Sequence, residues 1–179
     1  MINEQKKELR KKIRSLKKNF SLDQKKTKSN KIFEKLEQLP EFVNSKVIMA
    51  YWSMDDEVFT HDFVLKYCKE KQIILPVVKG DVLELKRFAG LSNLKKEGVF
   101  GIEEPTGEVF QDVESIDMIL VPGVAFDTNL NRLGRGKAYY DKLLKTSKAV
   151  KVGICFDFQI VDSVPTDRFD VKMDKVLCD

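Results

Sequence analysis

The chain has 179 residues, 42% of them hydrophobic and 34% charged, with a formal net charge of +4. That length suits one domain. The apolar share is too high for a disordered chain, and no apolar run approaches the roughly 18 residues of a membrane helix. The basic surplus is local: residues 1–35 hold thirteen Lys and Arg against four Asp and Glu, and the remainder holds nineteen against twenty-four.

Cys68, Cys155 and Cys178 are widely spaced and form no C-x-x-C pair, which argues for reduced thiols over a disulfide framework or a zinc site. One histidine, His61, excludes sites built on several histidines. Met1 to Arg14 is charged and lacks the apolar stretch of a secretory signal, so the expected location is the cytoplasm. The basic N-terminal arm suits a polyanion, nucleic acid or nucleotide phosphates among them, or is simply a solvated helix face. Aromatic residues are not interleaved with its lysines and no RNA-module signature is present. No nucleic-acid or membrane partner is therefore expected.

Residues 4–19 read as an amphipathic helix, with Leu9, Ile13 and Leu16 spaced by four and three and Phe20 extending the stripe. Ser21, with Gln24 three residues on, makes a capping box that opens a second helix. Its buried face is Ile32, Phe33, Leu36 and Leu39, and Pro40 is its stop. Val47 to Tyr51 is a continuous apolar run, as in a strand covered on both faces. A helix from about 60 to 71, with Thr60 as N-cap and His61 in its first turn, leads to a second such strand, Ile73 to Val78.

Lys79-Gly80-Asp81 is turn chemistry, and Val82 to Phe88 alternates as a hairpin partner. Leu91 to Lys96 is expected as a short helix and Gly98 through Gly107 as a loop. Ile116 to Val121 is a third buried strand, closed by Pro122-Gly123. A loop at 131–137, a helix at about 137–146, a strand at Val150 to Phe156 and a last short strand at Lys175 to Cys178 complete the order. Strands alternating with helices predict a single three-layer α/β/α domain over residues 1–179, Rossmann-like in its layering, with a mixed, largely parallel central sheet.

The chemistry concentrates between Phe126 and Asp141. This stretch comes after the third buried strand and enters a helix, which puts it at the carboxyl end of the sheet, where open α/β sheets bind ligands. Gly134 and Gly136 let the backbone approach a ligand closely, while Arg132, Arg135 and Lys137 supply fixed positive charge beside a helix start. Such a cradle suits an anion, phosphate first, although a surface turn with solvated arginines would read the same way. It is not a Walker A loop, which needs glycine where Asn131 stands and Ser or Thr where Ala138 stands.

The string Asn131-Arg-Leu-Gly-Arg-Gly-Lys-Ala-Tyr-Tyr-Asp141 resembles the signature of the 5-formyltetrahydrofolate cyclo-ligases, or methenyltetrahydrofolate synthetases. Val121-Pro-Gly-Val-Ala-Phe-Asp127 is similar to the strand end that precedes it in that family. Lys6 to Arg10, Ala50 to Glu57, Ile74-Leu-Pro76 and Val164-Pro165 through Asp170 and Asp174 resemble further family segments, in order. The resemblance implies ATP-driven conversion of 5-formyltetrahydrofolate to 5,10-methenyltetrahydrofolate, with ADP and phosphate released.

It further implies that Lys6 and Arg10, four apart and so on one helix face, reach the ATP phosphates. Arg132, Leu133, Gly134, Arg135, Gly136, Lys137, Ala138, Tyr139 and Tyr140 would wrap the triphosphate, with Lys137 and Arg135 neutralising charge during transfer. Asp141 and Asp170 would bind Mg²⁺, with Asp167 and Asp174 as competitors for the second place. Trp52, Glu57, Phe100 and Tyr140 would contact folate. Two departures stand out: Ala138 stands where the family usually has glycine, and Trp52 stands where some relatives have a smaller apolar residue.

Overall fold

The computed structural model describes residues 1–96, 101 and 103–179. Helix α1 (Ile2–Lys17) buries Ile13, and α2 (Leu22–Glu37) opens on the expected capping box. There the Ser21 hydroxyl accepts from the Gln24 amide at 3.2 Å, and the Gln24 carboxamide accepts from the Ser21 amide at 2.8 Å. The chain leaves α2 before Pro40, which starts a further short helix, α3 (Pro40–Asn44). Proline suits that first position because its missing N–H would have no helical acceptor.

Strand β1 (Val47–Met49), helix α4 (His61–Tyr67) and the hairpin β2 (Gln72–Lys79) and β3 (Val82–Phe88) come next, in the expected order. The segment Leu91 to Lys96 is not a helix of α type: one 3₁₀ turn, Leu91–Asn93, runs into β4 (Leu94–Lys95). Its partner β5 (Glu104–Pro105) lies in the expected loop. Both strands have two residues, too few for a period to register.

Strand β6 (Met118–Pro122) leads into β7 (Ala125–Asp127) and β8 (Arg132–Leu133), then α5 (Tyr139–Leu144), β9 (Val150–Cys155), β10 (Ile160–Val161) and β11 (Lys175–Cys178). The main sheet has the order β11-β9-β6-β1-β2-β3, parallel throughout except for β3 at its edge. A second sheet, β10-β7-β8, is built from the chain segments just beyond the carboxyl ends of β6 and β9.

Burial on both faces explains the unbroken apolar runs. One face of the main sheet (Ile48, Ile73, Leu75, Met118, Leu120, Val152, Ile154) packs on Ile32, Phe33 and Leu36 of α2, Phe42 of α3 and Phe63 and Val64 of α4. The other (Met49, Ile74, Ile119, Val121, Cys155) packs on Leu144 of α5, Phe126 of β7, Phe110 and Met173. Helix α1 lies on neither face. Its Ile13 joins Ala125, Leu133 and Val164 of the smaller assembly, which brings the basic arm to the loop end of the main sheet.

Phe126 fixes how the loop leaves β6. Its ring lies against Gly123 and Gly153 so closely that a Cβ on either would come within 2.5 Å of it. The glycine of Pro122-Gly123 is thus required by packing.

Candidate functional site

A cavity of about 380 Å³ opens at the carboxyl ends of β1, β2 and β6. Tyr51, Trp52 and Glu57 come from the loop after β1, Pro76 and Val78 from β2, and Pro122 and Gly123 from the end of β6. The far wall is the segment Arg132 to Asp141.

That wall is shaped by Asp127, which is 2% exposed. Its carboxylate accepts from the amides of Asn129, Asn131 and Val164 and from the Asn131 side chain, at 2.9 to 3.0 Å. Burial opposes its charge, but the bonds from Val164, Asn131 and Asn129 prevail and hold the carboxyl below its usual range. Four donors on one carboxylate fold residues 127–131 into a closed turn that delivers Arg132 and Leu133 to β8.

Arg132 is buried and already engaged. Its Nη2 donates to Asp141 at 2.9 Å and its Nη1 to the Pro122 carbonyl at 3.1 Å, while its Nε, also buried, has no partner among the described residues. Gly134 lies over this guanidinium, where a Cβ would come within 2.9 Å of Nη1. Arg132 therefore ties strand end, loop and helix start together.

Beyond it the loop is open. Gly136 takes φ 103°, Ala138 takes φ 55° as the N-cap of α5, and Arg135, Gly136, Lys137 and Ala138 are exposed. The Ala138 position is thus left-handed, the conformation in which alanine costs about 1 kcal/mol against glycine. Tyr139 donates to the Gly80 carbonyl at 3.3 Å. Tyr140 lines the cavity, and burial raises its phenol well above its usual value.

Lys6 and Arg10, four apart on α1, meet different partners. Arg10 Nε donates to the Gly134 carbonyl at 2.8 Å. Lys6 Nζ, one helical turn earlier, donates to Asp167 at 2.8 Å and Asp170 at 2.6 Å. Burial would lower the Lys6 ammonium, but the hydrogen bonds to Asp167 and Asp170 outweigh it and raise it. Asp170 and Asp141 are neighbours across the loop, since Asp141 Oδ1 lies 3.4 Å from the Val171 amide. Both carboxylates meet cationic side chains here, Lys6 and Arg132 respectively.

On the opposite wall, Arg135 Nη2 reaches Asp56 at 2.8 Å and Glu57 at 3.1 Å. Burial raises the Glu57 carboxyl even though Arg135 and the Met54 amide favour its charge. Trp52 stacks on His61 with ring centres 3.7 Å apart, and its Nε1 donates to Glu103 at 3.2 Å. His61 Nε2 lies 3.0 Å from the Ser53 carbonyl, which puts a proton on that nitrogen. Thr60 does stand at the N-cap of α4, but its hydroxyl donates to the Tyr51 carbonyl and accepts from the Ser53 amide instead of capping. Phe100 lies outside the described residues.

Three residues of this arrangement have little signal in the chain. Asp127 reads only as part of a strand-end string, although Asp-x-Asn-x-Asn is the pattern of a side chain folding back on local amides. Asp56 and Lys17, which pair at 3.4 Å, look in sequence like one more acid and one more lysine among many.

Sheet order and cavity define an α/β protein with a small-molecule cleft at the carboxyl ends of its parallel strands. Residues 2–179 match the model of the 5-formyltetrahydrofolate cyclo-ligase family. The chain belongs to that family. It superposes on the NMR structure of a 5,10-methenyltetrahydrofolate synthetase from Aquifex aeolicus with a TM-score of 0.85 and 40% identity, covering 96% of this chain and 88% of that one. It is 34% identical over 170 residues to a probable 5-formyltetrahydrofolate cyclo-ligase of Schizosaccharomyces pombe, covering 84% of this chain and 83% of the relative. It is 30% identical over 192 residues to the 5-formyltetrahydrofolate cyclo-ligase of Mus musculus, covering 98% and 94%.

Proposed function

We propose that the cavity binds ATP and 5-formyltetrahydrofolate together and closes the folate to 5,10-methenyltetrahydrofolate, releasing ADP and phosphate. The observation that carries this reading is the convergence of Arg10 on the loop at Gly134, beside a cavity lined by Arg135 and Lys137, in a chain that matches the family over residues 2–179. The N5-formyl oxygen leaves poorly as it stands. Transfer of the terminal phosphoryl group to it gives an imidate phosphate, N10 then attacks the formyl carbon, and phosphate departs.

Such transfer depends on positioning and on charge neutralisation. Lys137 and Arg135 neutralise the moving phosphoryl group, and Arg10 and the Gly134–Ala138 backbone hold the rest of the triphosphate. Lys6 holds Asp170 in place from the same helix face. Trp52, Glu57 and Tyr140 bind the folate. Glu57, pushed toward its neutral form by burial, accepts or donates a hydrogen bond there according to its proton.

The acidic pair suits Mg²⁺. It takes one or two carboxylates along with phosphate and water oxygens, and Asp141 and Asp170 supply two carboxylates on adjacent segments. These two would hold the ion, which would offset phosphate charge. The protein works on this reading as a single-domain cytoplasmic monomer on small molecules, and its three free cysteines fit a reducing compartment.

Mixing the protein with MgATP and 5-formyltetrahydrofolate is expected to produce the near-ultraviolet absorption of the methenyl product. Omitting ATP abolishes it. A folded protein that gives no signal with both substrates present contradicts the proposal.

A further inference from the structure

A second, smaller hollow of about 190 Å³ lies behind the Arg135 wall. It is lined by Arg10, Arg14 and Lys17 of α1, by Arg135 of the glycine loop, and by Asp56 and Val124. Arg10, Arg14 and Lys17 are spaced by four and three, so one face of α1 presents all three to the hollow. Among the described residues four cations meet there, with Asp56 as the one carboxylate in the lining.

The cations are incompletely matched. Lys17 is buried, and its ion pair with Asp56 is long at 3.4 Å. Burial depresses its ammonium although Asp56 pulls the other way. Asp56 is itself shared, since it also takes Arg135 at 2.8 Å, and Arg135 divides between Asp56 and Glu57. Arg10 commits its Nε to the Gly134 carbonyl. Arg135 repels the Lys17 ammonium, and a further anion beside Asp56 would offset that repulsion.

We propose that this hollow is an oxyanion site that takes a phosphate, separate from the cradle of the nucleotide's diphosphate portion, with Arg14 and Lys17 as ligands of its own. The hollow is large enough to take a tetrahedral anion together with its hydration water. The forked guanidinium groups of Arg10, Arg14 and Arg135 match phosphate oxygens in pairs. Because Arg135 borders both compartments, a phosphate released beside the main cavity has a charged place to go. The inference rests on the nucleotide reading given above.

The test titrates inorganic phosphate into the full chain at saturating ADP, by calorimetry, with wild type, Arg14→Gln and Lys17→Gln. Phosphate is expected to bind saturably with ADP present. Each variant is expected to weaken it by roughly tenfold to a hundredfold, the worth of one hydrogen bond to a charged group. ADP affinity stays within about threefold, a change below 1 kcal/mol.

Arg14 is exposed, so Arg14→Gln tests the site even if Lys17→Gln folds poorly. Phosphate binding that ADP abolishes, that neither variant changes, or that never appears overturns the inference. A parallel titration with glutarate carries the other anion chemistry: glutarate binding more tightly than phosphate, with the same dependence on Arg14 and Lys17, overturns the phosphate assignment. Failure of ADP itself to bind is a different result and counts against the nucleotide reading.

Discussion

Lys6 Nζ lies 2.6 Å from the Asp170 carboxylate, joining the first helix to a loop 164 positions later in the chain. The second bond of Lys6, to Asp167, gives the ammonium two carboxylates in a half-buried niche next to Asp141. Positive charge therefore already sits on the acid proposed to serve Mg²⁺.

Removing that acid is expected to show in the metal requirement. Asp170→Asn should raise the Mg²⁺ concentration for half-maximal turnover about tenfold or more, the scale seen when groups around a metal site are altered. Asp167→Asn, which leaves the Lys6–Asp170 contact in place, should have the smaller effect. A Mg²⁺ titration of the initial rate checks both.

Asp127 is expected to be the most costly polar residue of the site to replace. Asp127→Asn removes a buried charge that satisfies four donors, and should destabilise the fold at neutral pH by about 3 kcal/mol or more. The carboxyl is held below its usual value in the folded chain. The stability its charge adds is therefore complete above the unfolded value of about 3.9 and is lost as pH falls through the lower folded value. Urea unfolding at pH 7 and near pH 3 should show the gap between wild type and variant narrowing in acid.

Ala138→Gly is expected to stabilise. Ala138 holds φ 55°, where glycine pays no steric penalty. The gain, after the added freedom of the unfolded chain is subtracted, is below about 1 kcal/mol. A thermal melt should rise by roughly 1–3 °C, and a lower melting temperature would mean the methyl group packs usefully.

Lys137→Ala separates chemistry from folding. The side chain is exposed and lines the main cavity. Turnover should fall about 10²–10³-fold, the loss of one charge-stabilising contact, with the melting temperature almost unchanged. A matching loss of stability would make the residue structural.

The parts of this structure that are legible in the chain share one property: they are long enough to carry a period or a cap. The Ser21–Gln24 box, the buried strands and the β2–β3 hairpin are local patterns, and the fold contains each of them. The spacing of Lys6 and Arg10 puts both on the face of α1 that meets the loop. The strands β4, β5, β7 and β8 have two or three residues and are defined by partners outside their own segment, which no local pattern encodes.

The site is legible as a set of residues but not as a set of partnerships. Arg132 reads in sequence like Arg135, one more cation in a glycine loop. The fold buries the first against Asp141 and leaves the second half-exposed between Asp56 and Glu57. That division depends on which way each side chain leaves the loop, whose start Asp127 holds through the Asn129 and Asn131 amides.

On the proposed reading, the turn entering α5 grips the nucleotide. Amide hydrogen exchange with and without a non-hydrolysable MgATP analogue tests it most directly. Slowed exchange at Leu133 through Ala138, together with the α1 turn around Lys6 and Arg10, is the predicted result. Unchanged exchange at that turn, with protection elsewhere in the chain, would contradict it.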